Sequence, residues 1–140
     1  MTRRSVLWIL AGTVIASPGW ACAADGPSAD TLALDHFAQE IEDATRFDGR
    51  RPGIRIDLVD LNGDGCVDAI VHFRSAFLGG ARGCSAYILD MGFDPPKELG
   101  GALTCGFRPA SSHTDGWIDL LGDSGGRWAL LEGRYQRIDR

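Results

Sequence analysis

The sequence predicts an α+β domain: one N-terminal helix packed on an antiparallel β-sheet of about six or seven strands. Three observations lead there. Between residues 34 and 41 apolar side chains recur at three- and four-residue spacing. From residue 54 onward the apolar period drops to two. Gly and Pro punctuate the gaps between the alternating runs, at Leu78-Gly79-Gly80, Asp94-Pro95-Pro96, Gly100-Gly101 and residues 123–126.

The helix comes first. Leu34, Phe37, Ala38 and Ile41 share one face, while His36, Gln39, Glu40, Glu42 and Asp43 fill the wet one. Ser28 or Asp30 can cap its start, and Asp48-Gly49 marks its end after Thr45. In the first strand Ile54, Ile56 and Leu58 alternate with Arg55 and Asp57. Residues 67–73 form a second, with Val67, Ala69, Val71 and Phe73 on one side and Ile70 and His72 on the other. Residues 85–89, 103–107 and 117–121 follow. Residues 128–131 and 135–138 make a closing hairpin around Glu132-Gly133-Arg134.

An export signal precedes this domain. Arg3 and Arg4 form a basic start, residues 6–16 are apolar except for Gly12 and Thr13, and Pro18-Gly19 ends the run. Ala21-Cys22-Ala23 then supplies an A-x-A cleavage pattern. Residues 1–23 are therefore expected to be a signal peptide and residues 24–140 a single periplasmic domain. A retained anchor fits poorly, because the apolar core is short and interrupted by Gly12, so no transmembrane segment is expected after cleavage. A lipoprotein signal would make Cys22 the first, lipidated residue. Gly19 and Trp20 stand where such signals usually carry Leu and a small residue.

Cleavage sharpens the charge. The whole chain carries 14 basic and 19 acidic residues, net -5. Every acid lies at or beyond Asp25, and Arg3 and Arg4 leave with the signal, so the mature chain is at -7. That balance argues against nucleic acid, whose binding needs a basic face to displace counterions. Three cysteines remain, Cys66, Cys84 and Cys105. An oxidising compartment favours a disulfide, with Cys84–Cys105 the preferred bridge and Cys66 left as a thiol; three buried thiols are the alternative.

One segment carries chemistry. Residues 60–68 read Asp60-Leu61-Asn62-Gly63-Asp64-Gly65-Cys66-Val67-Asp68, with side-chain oxygens at positions 1, 3, 5 and 9. A hard cation such as Ca²⁺ takes six to eight oxygens, and alternate residues of a tight loop converge on one centre. Gly65 permits the turn that aims the Cys66 carbonyl inward. The expected metal residues are Asp60, Asn62, Asp64, Cys66 through its carbonyl, and Asp68. Val71 stands where an EF-hand has its bidentate Glu, so the loop is not an EF-hand. The competing reading is a plain hairpin turn, since Asn62-Gly63 and Asp64-Gly65 both favour one. A turn alone has no need of Asp60 and Asp68, and acids packed without a cation repel one another.

Other segments carry less. Residues 77–84, Phe-Leu-Gly-Gly-Ala-Arg-Gly-Cys, lack the Lys-Ser/Thr pair and the helix of a phosphate loop, and read as a flexible loop into a strand. His113 and the carboxylates Asp115 and Asp119 could suggest a catalytic pair, but Asp115-Gly116 more simply makes a turn and Trp117 fills the core beside Trp128. No nucleophile-elbow or His-Glu-x-x-His pattern appears, so an enzyme is not expected.

Asp-x-Asn-x-Asp-Gly-x-x-Asp leading into an apolar strand resembles the calcium loops of FG-GAP and VCBS repeats and, more distantly, of dockerins. With Gly83-Cys84 and Asp115-Gly116-Trp117-Ile118-Asp119-Leu120, residues 54–138 also resemble a group of small exported bacterial proteins and lipoproteins, mostly of unassigned function. Those carry a C-G-x-G-G-C loop; here Leu78 and Gly79 occupy the region of its first Cys, so Cys84 needs another partner. The expected function is a non-enzymatic exported binding module with a structural calcium loop, its partner another envelope protein. The alternative is a periplasmic inhibitor or immunity protein that blocks a secreted hydrolase, with residues 76–83 as a protruding loop.

Overall fold

The computed structural model describes residues 28–139, so the expected signal peptide at 1–23 lies outside them. Helix formation starts where the Ser28 hydroxyl accepts the Thr31 N–H at 3.3 Å, satisfying one of the first turn's unpaired donors. Two helices follow where one was expected: α1 Ala29–His36 and α2 Ala38–Asp48. Phe37 separates them with φ -102° and ψ 17°, outside the helical region. Gly49, at φ 73°, ends α2 in the left-handed conformation. Ala33, Phe37 and Ile41 still bury against one sheet face, with the Phe37 ring edge-on to Phe73 at 5.3 Å. Ala38, expected on the apolar face, is exposed.

The β region departs further from expectation. Among the described residues it is not one sheet of six or seven strands but two antiparallel four-stranded sheets, and these residues are mostly β. The first sheet runs β1 Gly53–Val59, β2 Asp68–Arg74, β3 Cys84–Asp90 and β4 Lys97–Ala102, in that order. The second runs β5 Phe107–Thr114, β6 Trp117–Gly122, β7 Gly126–Leu131 and β8 Arg134–Arg137. A short helix α3, Ala76–Gly79, and a 3₁₀ turn, Gly80–Arg82, connect β2 to β3.

Two strands account for the difference. Gly100-Gly101 reads as a turn but lies inside β4, because neighbouring side chains leave no room for a Cβ. One on Gly101 would meet the Tyr87 ring at 2.5 Å, and one on Gly100 the Tyr135 carbonyl at 3.1 Å. Residues 103–106, expected to start a strand, instead carry the chain from one sheet to the other. β5 begins at Phe107 and continues through polar residues and Pro109, with an irregular register against β6 between Pro109 and His113. An edge strand of that composition shows no apolar alternation.

β2 lies in the middle and is buried on both faces up to Phe73. Ala69, Val71 and Phe73 face the helices, as the period of two predicts. Ile70 belongs to a second cluster with Leu61, Ile88, Leu99, Leu120, Trp128 and Tyr135, which joins the two sheets. Each such fully buried aliphatic side chain contributes roughly 1.5–3 kcal/mol. Two polar links cross the same space. His72 Nε2 accepts the Phe107 N–H at 3.1 Å, and the Ile118 N–H donates to the Leu61 carbonyl at 2.7 Å.

The Cys84–Cys105 disulfide forms as expected, tying the start of β3 to the connection ahead of β5 across a Cα–Cα distance of 4.8 Å. Cys66 is itself disulfide-bonded, and so is not the leftover thiol that the odd count suggested. Among the described residues no helix is long and apolar enough to cross a membrane.

Candidate metal loop

Residues 60–67 turn β1 into β2, and short polar side chains shape the turn. Asp60 accepts the Gly63 N–H on Oδ1 and the Gly65 N–H on Oδ2, both at 2.9 Å. Asn62 Oδ1 accepts the Asp64 N–H at 3.2 Å, and Asp64 Oδ1 accepts the Cys66 N–H at 2.8 Å. Such local acceptors substitute for ladder hydrogen bonds that the loop cannot make. Gly65, at φ 83°, supplies the left-handed step that a residue with a Cβ takes at a cost. Asp60, Asn62, Asp64 and Cys66 therefore share one curled turn.

Asp68 stands apart from them. It opens β2, is 1 % exposed, and directs both oxygens at backbone amides: Oδ2 accepts the Leu61 N–H at 3.0 Å and Oδ1 the Met91 N–H at 3.3 Å. Burial pushes its carboxyl up to about 7, the two N–H groups oppose that, and the charges of Asp90 and Asp64 add to it. Asp68 thus braces the base of the loop against the turn after β3. Leu61, between Asp60 and Asn62, is fully buried between the sheets.

Among the described residues no three His, Cys, Asp or Glu side chains gather closely enough to hold an ion by themselves. A hard cation at this turn would rely on the Asn62 amide oxygen and backbone carbonyls beside Asp60 and Asp64, a mixed oxygen set that Ca²⁺ accepts.

The three histidines stand in separate places. His36 lies 3.4 Å from Glu98, and His113 is exposed on β5. His72 is enclosed between the sheets, with Asp57 3.7 Å from its Nδ1. Burial lowers its pKa, the Arg55 charge lowers it further, and Asp57 opposes both. Asp115 and Gly116 form the turn between β5 and β6, as their sequence suggests. Asp119 is 3 % exposed and accepts from the Ser112 and Thr114 hydroxyls at 2.6 and 2.8 Å and from Arg127 at 3.3 Å. Burial would raise its carboxyl, but these donors outweigh that and hold it below the usual range. The polar β5 residues concealed this cluster from the sequence reading.

Residues 76–83 are not a loose loop. Asp48 accepts the Ser75 hydroxyl at 2.6 Å and the Phe77 N–H at 3.2 Å, and Ser75 caps α3 by accepting the Leu78 N–H at 3.1 Å. Gly79 packs on the Cys84 backbone. Comparison with family models, with curated proteins and with solved structures finds no match for the chain.

Proposed function

We propose that this chain is a non-enzymatic, exported periplasmic binding module whose 60–68 loop takes up a calcium ion. The observation that carries the metal part is the curled turn. Asp60 is held by the Gly63 and Gly65 amides, so Asp60, Asn62 and Asp64 sit at alternate positions around a left-handed glycine. Each side-chain oxygen that accepts one N–H keeps a further lone pair for a cation. Asp60, Asn62, Asp64 and the Cys66 carbonyl would hold the ion, while Asp68, its oxygens on the Leu61 and Met91 amides, braces the base of the loop. The ion would neutralise the loop and fix it against Leu61.

The Cys84–Cys105 bridge supports an oxidising compartment. The order of secondary structure in residues 76–83 favours a general binding module over an inhibitor that inserts a free loop.

Calcium melting curves test the metal. A ligand bound only by the folded state stabilises it by RT ln(1 + [L]/Kd), roughly 2.7 kcal/mol at about 100 times Kd, which shifts the midpoint by several degrees. Mg²⁺ should do less, because it demands a tighter octahedron. Asp64→Ala should abolish the response. Absence of calorimetric heat at millimolar Ca²⁺, with identical melting in chelator, would leave a plain acidic turn.

A further inference from the structure

At the opposite end of the β1–β2 hairpin from the loop, a cleft of about 360 Å³ opens between the end of α2 and the start of α3, lined by Asp48, Arg50, Pro52, Arg74 and Ser75. Arg50 and Arg74 are exposed and make no ion pair among the described residues, and Arg82 lies exposed on the adjoining 3₁₀ turn. Asp48, the one acid in the lining, has both oxygens engaged by Ser75 and Phe77. Beside the cleft, the Phe47 and Phe77 rings meet at a tilt, 5.0 Å between centroids, and are 77 % and 43 % exposed. In a chain of net charge -5 this end collects unpaired arginines around an exposed aromatic pair.

We infer that this cleft docks an acidic, extended segment of a partner protein, its carboxylates on Arg50 and Arg74 and an apolar side chain on Phe47 and Phe77. The chemistry follows from the residues. A guanidinium presents paired N–H donors that match a carboxylate, and its ion pairing is strengthened beside apolar surface that excludes water. Exposed aromatic side chains with Arg are the composition of interface anchors. A concave site suits a peptide better than a flat bilayer. The inference rests on the binding-module reading and is independent of calcium.

Fluorescence anisotropy with a labelled peptide alternating Glu and Leu, beside a Lys–Leu peptide of equal length, tests it on the mature protein. The acidic peptide should bind and the basic one should not. Arg50→Glu with Arg74→Glu should weaken binding at least tenfold, and Phe47→Ala should weaken it about threefold. Arg134→Glu, an exposed charge reversal on β8, should leave it unchanged. All these positions are exposed, so each variant should keep the parent melting temperature. Equal binding by the parent and the Arg50/Arg74 variant would overturn the inference. So would association with phosphatidylglycerol vesicles in place of the peptide. Pulldown from envelope extract separates the two levels. A partner captured equally by parent and variant sinks the cleft and spares the module; no capture and no peptide binding sinks both.

Discussion

The two ends of the β1–β2 hairpin lie roughly 20 Å apart, the length of a seven-residue strand, and use charge in opposite ways. At the loop end, Asp60, Asp64 and Asp68 accept backbone N–H groups, so their carboxylates shape and brace the chain. At the other end, Arg50 and Arg74 leave their guanidinium groups unpaired toward solvent. The loop end also inserts Leu61 into the core, whereas the arginine end holds Phe47 and Phe77 outside it. The net charge of -5 is therefore unevenly spread, with the unused hydrogen-bonding capacity of the arginine end cationic.

The largest expected effect tests how firmly each end is anchored. Leu61→Ala should cost roughly 2–5 kcal/mol in urea denaturation, because it empties a site closed by both sheets. Phe47→Ala, at a site 77 % exposed, should stay within about 0.5 kcal/mol. Similar small losses at both positions would mean that the loop end is not anchored as described.

The next effect concerns the arginine end, which the disulfide holds through Cys84, the register partner of Arg74. Cys84→Ser with Cys105→Ser should cost roughly 3 kcal/mol for a closed loop of this length. Hydrogen exchange should show where. The Gly79 and Gly83 amides, bonded to the Ser75 and Gly80 carbonyls, should lose protection, while the Leu61 and Met91 amides on Asp68 should keep it. Uniform loss along the chain would erase the distinction between the ends.

The sequence exposes the loop end far better than the arginine end. Asp60 to Asp68 is contiguous, and its turn residues act locally. Likewise the alternation of residues 67–73 and the Asp115-Gly116 turn need no distant partner to be read. The arginine cleft draws on α2, the start of β1 and the end of β2, which only the topology brings together. Gly100-Gly101 belongs in a strand because of Tyr87 and Tyr135, which no local pattern reveals. The second sheet was hidden for the same reason, since its edge strand β5 is polar and its separation depends on the crossing at 103–106. Asp68 was legible as an acid of the loop, but its orientation toward the Leu61 and Met91 amides was not.

The last expected effect lies between the ends, at His72. Its ring touches both sheets: Nε2 accepts the Phe107 N–H, and Arg55, Asp57 and Asp123 are the charges that act on it. Burial, with Arg55, lowers its folded-state pKa below 6.5. Below pH 6.5 the unfolded chain therefore binds more protons at this site than the folded one, and the native state loses stability as pH falls toward the folded pKa. The linkage slope for one such group is at most about 1.4 kcal/mol per pH unit. His72→Gln retains an acceptor for the Phe107 N–H and does not titrate. The stability of the parent relative to His72→Gln should thus decline between pH 7.5 and 5.5, read from urea midpoints at several pH values. Taking the difference cancels the titrating groups that do not act on His72, including those of the loop. Parallel profiles would mean that His72 charges as readily in the fold as in the unfolded chain. The contact between β2 and β5 would then be open to water, and the two sheets would not enclose the middle of the hairpin.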